Sequence, residues 1–262
     1  SSGNVLLRAG DADAVTFLRS SAKPFQALTA LEAGVGRRYR LSDEEEAITI
    51  GSHSGEDRHV AVVESLLRKA EIPESALRCG IHPPSHVPTR RREEAAGRPF
   101  SVLRNNCSGK HAGMLAYAKM LGAPLESYLE ASHPVQKNIL ETVAACADVP
   151  VPDIRIAVDG CGVPTFALPM RNAALAFARL LDPSPLPERF RKPAAHVARL
   201  MQENPYLIAG EGRLCTLLME AGKERKMIAK AGAEGYYGAG FLDTRGKAVG
   251  LIVKISDGSK DD

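Results

Sequence analysis

Ser20 and Lys23 stand three residues apart, where an alternating strand-like stretch gives way to a helical pattern. At that spacing both side chains share one face of the opening helical turn. A serine hydroxyl is a weak nucleophile and needs a base. A lysine amine can be that base only when burial or a neighbouring positive charge lowers its pKa. A helix N-terminus adds positive potential and free N–H groups, which favour a neutral lysine and an oxyanion. S-x-x-K alone is common by chance, however. Ser20 as a simple N-cap, with Lys23 in solvent, explains the pair equally well.

Later segments change that balance. Lys230-Ala231-Gly232 follows the apolar run Met227-Ile228-Ala229, and Ser52-His53-Ser54-Gly55-Glu56 forms a second serine-bearing loop. S-x-x-K, a polar serine loop and a K-x-G on a strand occur in that order in β-lactamases and penicillin-binding proteins. Here Ala replaces the Thr of K-T-G and the middle loop is not S-D-N, so the likeness is partial. Residues 52–55 also suit a helix–helix turn. The stretch Asn105-Asn106-Cys107-Ser108-Gly109-Lys110-His111 places Cys, Lys and His within five positions ahead of a helix. The G-x-x-x-x-G-K-[ST] spacing of a phosphate loop is absent. Asp159-Gly160-Cys161-Gly162 closes a strand, a common location for functional groups. Each cysteine alone reads more simply as a small buried apolar residue. His82 and His86 are four apart, but Pro83 and Pro84 exclude a helix interior between them. The residues by themselves therefore give no metal motif.

These groups must be held by an ordered scaffold. Residues 5–7 and 15–18 read as short strands around a turn at 10–13, and 23–33 as a helix ending at Gly34. Ser42-x-x-Glu45 is a capping box, and 56–70 has apolar residues at helical spacing. Further helices are expected at 109–121, 134–147, 170–181, 194–202 and 214–221, and strands at 154–158, 226–230, 236–242 and 249–255. The pattern predicts an α+β fold in which N- and C-terminal strands join in one antiparallel sheet around a mostly helical middle. The whole chain, 1–262, reads as one catalytic unit. A sub-division into 1–105 plus 223–262 and a helical 106–222 is conceivable, with 182–187 as an exposed connection.

The formal net charge of +3, dispersed Lys and Arg, 5% aromatics and absence of Trp argue against a nucleic-acid partner. No apolar stretch reaches the ~18 residues of a membrane span, and no signal peptide is visible. Both ends read as cut, since the chain lacks an initiator Met and stops just after a strand-like run. Five widely spaced cysteines suggest thiols or metal ligands in a reducing cytoplasm, not a disulfide framework.

Together, five segments resemble the rhizobial-type L-asparaginase II family. They are Arg19-Ser20-Ser21-Ala22-Lys23-Pro24-Phe25-Gln26, Gly51-Ser52-His53-Ser54-Gly55-Glu56, Asn106-Cys107-Ser108-Gly109-Lys110-His111-Ala112-Gly113-Met114, Asp159-Gly160-Cys161-Gly162-Val163-Pro164 and Lys230-Ala231-Gly232-Ala233-Glu234-Gly235. The match runs in order across almost the whole chain. Weaker support comes from Cys79-Gly80-Ile81-His82. The resemblance implies a fold similar to glutaminases and serine β-lactamases, and hydrolysis of L-asparagine to L-aspartate and ammonia. Ser20 would be the nucleophile with Lys23 as its base, and Ser52 with Lys230 a second relay pair. It also implies a zinc held by Cys107, Lys110 and Cys161, organising substrate binding rather than generating the nucleophile, and a homodimer. A zwitterionic amino acid needs a carboxylate and a cation. Asp159 and Arg19 are the expected partners, with His111 and Asn106 beside them. The alternative is a glutaminase or β-lactamase-like serine hydrolase acting on another amide or ester.

Overall fold

The computed structural model describes residues 3–258. Residues 1–2 and 259–262, and with them the two ends read as cut, lie outside the described residues. The first regular element is the three-residue strand β1 (Val15–Phe17), followed by a single 3-10 turn over Arg19–Ala22. That turn runs directly into α1 (Lys23–Glu32), with Pro24 in the first turn, where its missing N–H costs nothing. Residues 23–29 of α1 are all buried, which makes it the central helix of the molecule. α2 (Val35–Tyr39) follows between left-handed Gly34 and Arg40.

α3 (Asp43–Ile50) starts with the expected capping box. Glu45 N–H donates to Ser42 Oγ at 3.3 Å, and Ser42 N–H donates to Glu45 Oε2 at 2.7 Å. The chain continues through α4 (Asp57–Lys69), α5 (Val87–Ala95), α6 (Ser108–Met120) and α7 (Pro134–Ala147). Strands β2 (Arg155–Val158) and β3 (Pro164–Pro169) come next, then α8 (Met170–Leu181), α9 (Glu188–Glu203), α10 (Pro205–Ile208) and α11 (Leu214–Ala221). Strands β4 (Ile228–Ala231), β5 (Tyr236–Leu242) and β6 (Ala248–Lys254) complete the order.

The α+β class holds, but the expected single sheet does not form. The strands make two antiparallel three-stranded sheets, β1-β3-β2 and β4-β5-β6. β1 pairs with β3, with Val15 opposite Pro169 and Phe17 opposite Ala167, while among the described residues β4, β5 and β6 pair only with one another. Residues 5–7 form no strand. Val5, Leu6 and Leu7 are exposed, with no neighbouring strand to supply ladder bonds.

Helix α8 covers β5 and β6. A Cβ at Gly250 would lie 1.8 Å from Ala174 O, so only glycine lets the helix backbone settle on the sheet. α1 packs against α3, α6, α7 and α9, and one hydrophobic cluster includes residues from each of these helices. All five cysteines are buried free thiols. Among the described residues, no helix is long and apolar enough to cross a membrane.

Candidate active site

The turn carrying Ser20 is fastened to both sheets. Leu18 N–H donates to Phe166 O of β3 at 3.0 Å. Ser21 Oγ donates to Lys230 O of β4 at 2.7 Å. Gly232 completes the join, because a Cβ there would stand 2.7 Å from Leu18 O and 3.2 Å from Ser21 Oγ. Ser20 and Lys230 are thereby brought together from opposite ends of the sequence.

Ser20 is half-buried, while Lys23 is fully buried one turn further on. Lys23 Nζ donates to Gly51 O at 2.7 Å and Asn106 O at 3.1 Å. Among the described residues no hydrogen bond joins it to Ser20 Oγ. Burial pushes the Lys23 amine below its ordinary pKa against the opposing pull of Cys107, and nearby Lys110 pushes it the same way. A neutral amine has two N–H bonds and one lone pair. With two N–H groups held by carbonyls, a neutral Lys23 keeps its lone pair for accepting a proton, and Cys107 stands beside it.

Ser52, also half-buried, follows the C-terminus of α3, and its N–H donates to Ile208 O at 2.8 Å. Its Oγ lies 2.7 Å from Lys230 Nζ, which also donates to Ala231 O at 3.0 Å. Lys230 is 1% exposed, and burial lowers its pKa to about 7. The second Ser–Lys pair is therefore in direct contact, and burial shifts both lysines toward the neutral amine.

His53 braces the Ser52 loop. Gly55 N–H donates to His53 Nδ1 at 3.2 Å, leaving the ring proton on Nε2, 2.9 Å from Ser108 Oγ at the start of α6. Ser108 Oγ donates onward to Leu103 O at 2.8 Å. The His53 ring stacks on His59 with centroids 5.0 Å apart, and His59 stacks on Tyr206 at 4.6 Å.

Cys107 precedes α6, Lys110 lies in its first turn and Cys161 closes in from the β2–β3 loop, all buried. Lys110 Nζ donates to Cys161 Sγ at 3.0 Å. The Cys161 thiol hydrogen-bonds Cys107, and with Lys23 and Lys110 nearby this draws Cys107 well below its ordinary pKa, toward the thiolate, despite burial. Burial opposes the charge on Lys110, but the two sulfurs hold its pKa above the ordinary value. Two buried sulfurs and an amine, with Cys161 hydrogen-bonded to both of the others, are a donor set that would suit zinc if Lys110 gave up its proton to bind.

Arg19 and Asp159 stand beside this cluster. Arg19 Nε donates to Asp159 Oδ1 at 2.8 Å, and its Nη1 reaches Glu234 on the β4–β5 loop. Burial would raise the Asp159 carboxyl, but Lys110 and Arg19 hold it below its ordinary pKa. Asn106 contributes chiefly through its backbone: its O receives Lys23, and its N–H donates to His82 Nε2 at 3.2 Å. His111 has its Nδ1 2.6 Å from Tyr128 Oη; its buried Nε2 has no partner among the described residues.

The sequence motifs thus converge, His111 through its nearness to Lys110 and Lys23. Sequence reading gave no role to Gly51 O, Ser21 or Glu234. Ser21 and Glu234 lie inside recognised motifs, so the signal was present but unassigned, whereas a carbonyl acceptor leaves no trace in residue type. Among known families, a model described as L-asparaginase II matches residues 1–262, the whole chain. None of the curated proteins matches it.

Proposed function

The chain belongs to the L-asparaginase II family and is an amidohydrolase, and from that premise we propose that it hydrolyses L-asparagine to L-aspartate and ammonia through two cooperating Ser–Lys pairs. The observation carrying this reading is the buried Lys230, lowered to about 7 and 2.7 Å from Ser52 Oγ, joined through Ser21 to the turn that bears Ser20. Ser20 Oγ attacks the side-chain amide carbon and Lys23 takes its proton on the free lone pair. The Ser52–Lys230 pair delivers a proton to the leaving nitrogen, and ammonia departs. Water then attacks the acyl-enzyme with the proton transfers reversed, releasing L-aspartate. The N–H of Ser20, at the entry to α1, is the candidate donor to the tetrahedral oxyanion. Arg19 and Asp159 hold the substrate's α-carboxylate and α-ammonium.

Zinc belongs to the same reading. Cys107, Lys110 and Cys161 would hold it, and when bound it supplies a fixed positive charge that orders the binding side of the site. Metal analysis checks this assignment: Cys107→Ser should reduce bound zinc to a small fraction of the unsubstituted level, and full occupancy in that variant removes the site. A site drawing on residues 19 to 234 supports one catalytic unit. The buried free thiols support a reducing cytoplasm, and the family resemblance supports a homodimer.

Ammonia release from L-asparagine tests the reaction directly. Ser20→Ala should lower kcat by roughly a thousandfold or more. Undiminished turnover in a folded Ser20→Ala protein would end the serine mechanism.

A further inference from the structure

We propose that Glu234 is a further substrate-binding residue, which with Asp159 receives the α-ammonium of the amino acid while Arg19 between them takes the α-carboxylate; this rests on the amidohydrolase reading above. Arg19 bridges three segments: the corner after β1, the β2–β3 loop through Asp159 and the β4–β5 loop through Glu234. All three border the reaction centre. Arg19 adjoins Ser20, Asp159 lies two residues from Cys161, and Glu234 lies four residues beyond Lys230. Gly232, between Lys230 and Glu234, leaves no room for a side chain against Leu18 O and Ser21 Oγ, which fixes where that loop leaves β4.

The three side chains run outward in order. Asp159 is 11% exposed, Arg19 22% and Glu234 62%. Glu234 is therefore the first of them that an arriving amino acid meets. Its backbone is braced from behind, since Lys254 Nζ donates to Glu234 O at 2.6 Å, and its side chain is left able to change partner.

Charge gives Glu234 a task beyond holding Arg19. Two carboxylates share one guanidinium, so one negative charge is unmatched within the trio. A zwitterion brings one carboxylate and one ammonium. Its carboxylate can replace Glu234 on Arg19 Nη1, since a guanidinium binds a carboxylate best through two N–H groups. The displaced Glu234 carboxylate then meets the ammonium that arrived with it. One ion pair is exchanged for two, but only by a ligand that carries both charged groups on one carbon. Glu234 thus discriminates α-amino acids from simple carboxylic monoamides.

Calorimetry on the Ser20→Ala protein tests this with L-asparagine and with succinamate, which has the same carboxylate and amide but no ammonium. Glu234→Gln, introduced at an exposed side chain, leaves the backbone bond from Lys254 intact. It should raise the Kd for L-asparagine about tenfold and that for succinamate less than twofold. An unchanged Kd for L-asparagine overturns the proposal. So does equal weakening of both ligands, which reduces Glu234 to a prop for Arg19. If the unsubstituted protein neither binds L-asparagine nor releases ammonia from it, the amidohydrolase reading fails at its root and the proposal with it.

Discussion

Burial, with Lys23 nearby, lowers the Lys230 amine to about 7, and among the described residues it donates to Ser52 Oγ and Ala231 O. A pair that delivers its proton to the leaving nitrogen needs the charged Lys230 amine, so kcat/KM should be level below about 7 and fall above it, with a tenfold loss per unit well above that value. Lys230→Arg keeps the positive charge but cannot deprotonate. It should cost roughly a thousandfold in kcat and abolish that limb; a pH profile of ammonia release reads both effects. Ser20, Lys23, Ser52, Lys230, Cys107, Lys110 and Cys161 were legible in the sequence only through the family resemblance of the segments that carry them, since S-x-x-K is common by chance and each cysteine alone reads as a buried apolar residue. What holds them was not. Lys23 is fixed by the carbonyls of Gly51 and Asn106, and any residue could provide those oxygens. His111 is less plain: its Nδ1 is engaged by Tyr128 Oη, while its buried Nε2 lies near Lys110 and Lys23 with no partner among the described residues.

The stacked rings of His53, His59 and Tyr206 tie the Ser52 loop to α4 and α10, and burial lowers the pKa of both histidines below the ordinary 6.5. The unfolded chain binds protons at these rings below about pH 6.5, whereas the folded protein does not. Stability present above that pH is therefore lost as pH falls toward the native values, at about 1.4 kcal/mol per pH unit for each ring. Urea midpoints between pH 7 and 5.5 check this, and a flat midpoint would mean that the rings protonate in place. A second test concerns α8. Gly250→Ala should destabilise the protein by about 3 kcal/mol in denaturant unfolding, since its new methyl meets Ala174 O at 1.8 Å. Helices with a strong apolar stripe or clear ends were read to the residue, as with α7, α8 and α11. α5 was not, because Val87-Pro88-Thr89-Arg90-Arg91-Arg92-Glu93-Glu94-Ala95 has no apolar stripe to betray it. β3 was missed because Pro164–Leu168 is buried throughout, so it lacks the alternation of a half-exposed strand. Losing β3 from the reading removed the partner of β1 and led to the single-sheet expectation.

At the scale of the molecule, the order of the motifs along the chain was visible and their assembly was not. Periodicity reports which face of an element is buried, not which distant element buries it. The two sheets meet at the 3-10 turn of Arg19–Ala22 through Leu18, Ser21 and Gly232, a junction of three contacts with no sequence signature. Long-range pairing of this kind governs when the protein can work as well as how. Ser52 and Lys230 are 178 residues apart. At about 5–20 residues per second, a ribosome delivers Lys230 roughly 10 to 40 seconds after Ser52. Throughout that interval the nascent chain carries the candidate nucleophile Ser20 with one relay lacking its lysine. The Ser20 turn likewise lacks the β4 carbonyl that anchors it. The enzyme should therefore be born inert and acquire turnover only when its last sheet closes, so that N-terminal fragments of any length ending before β4 accumulate without amidase activity.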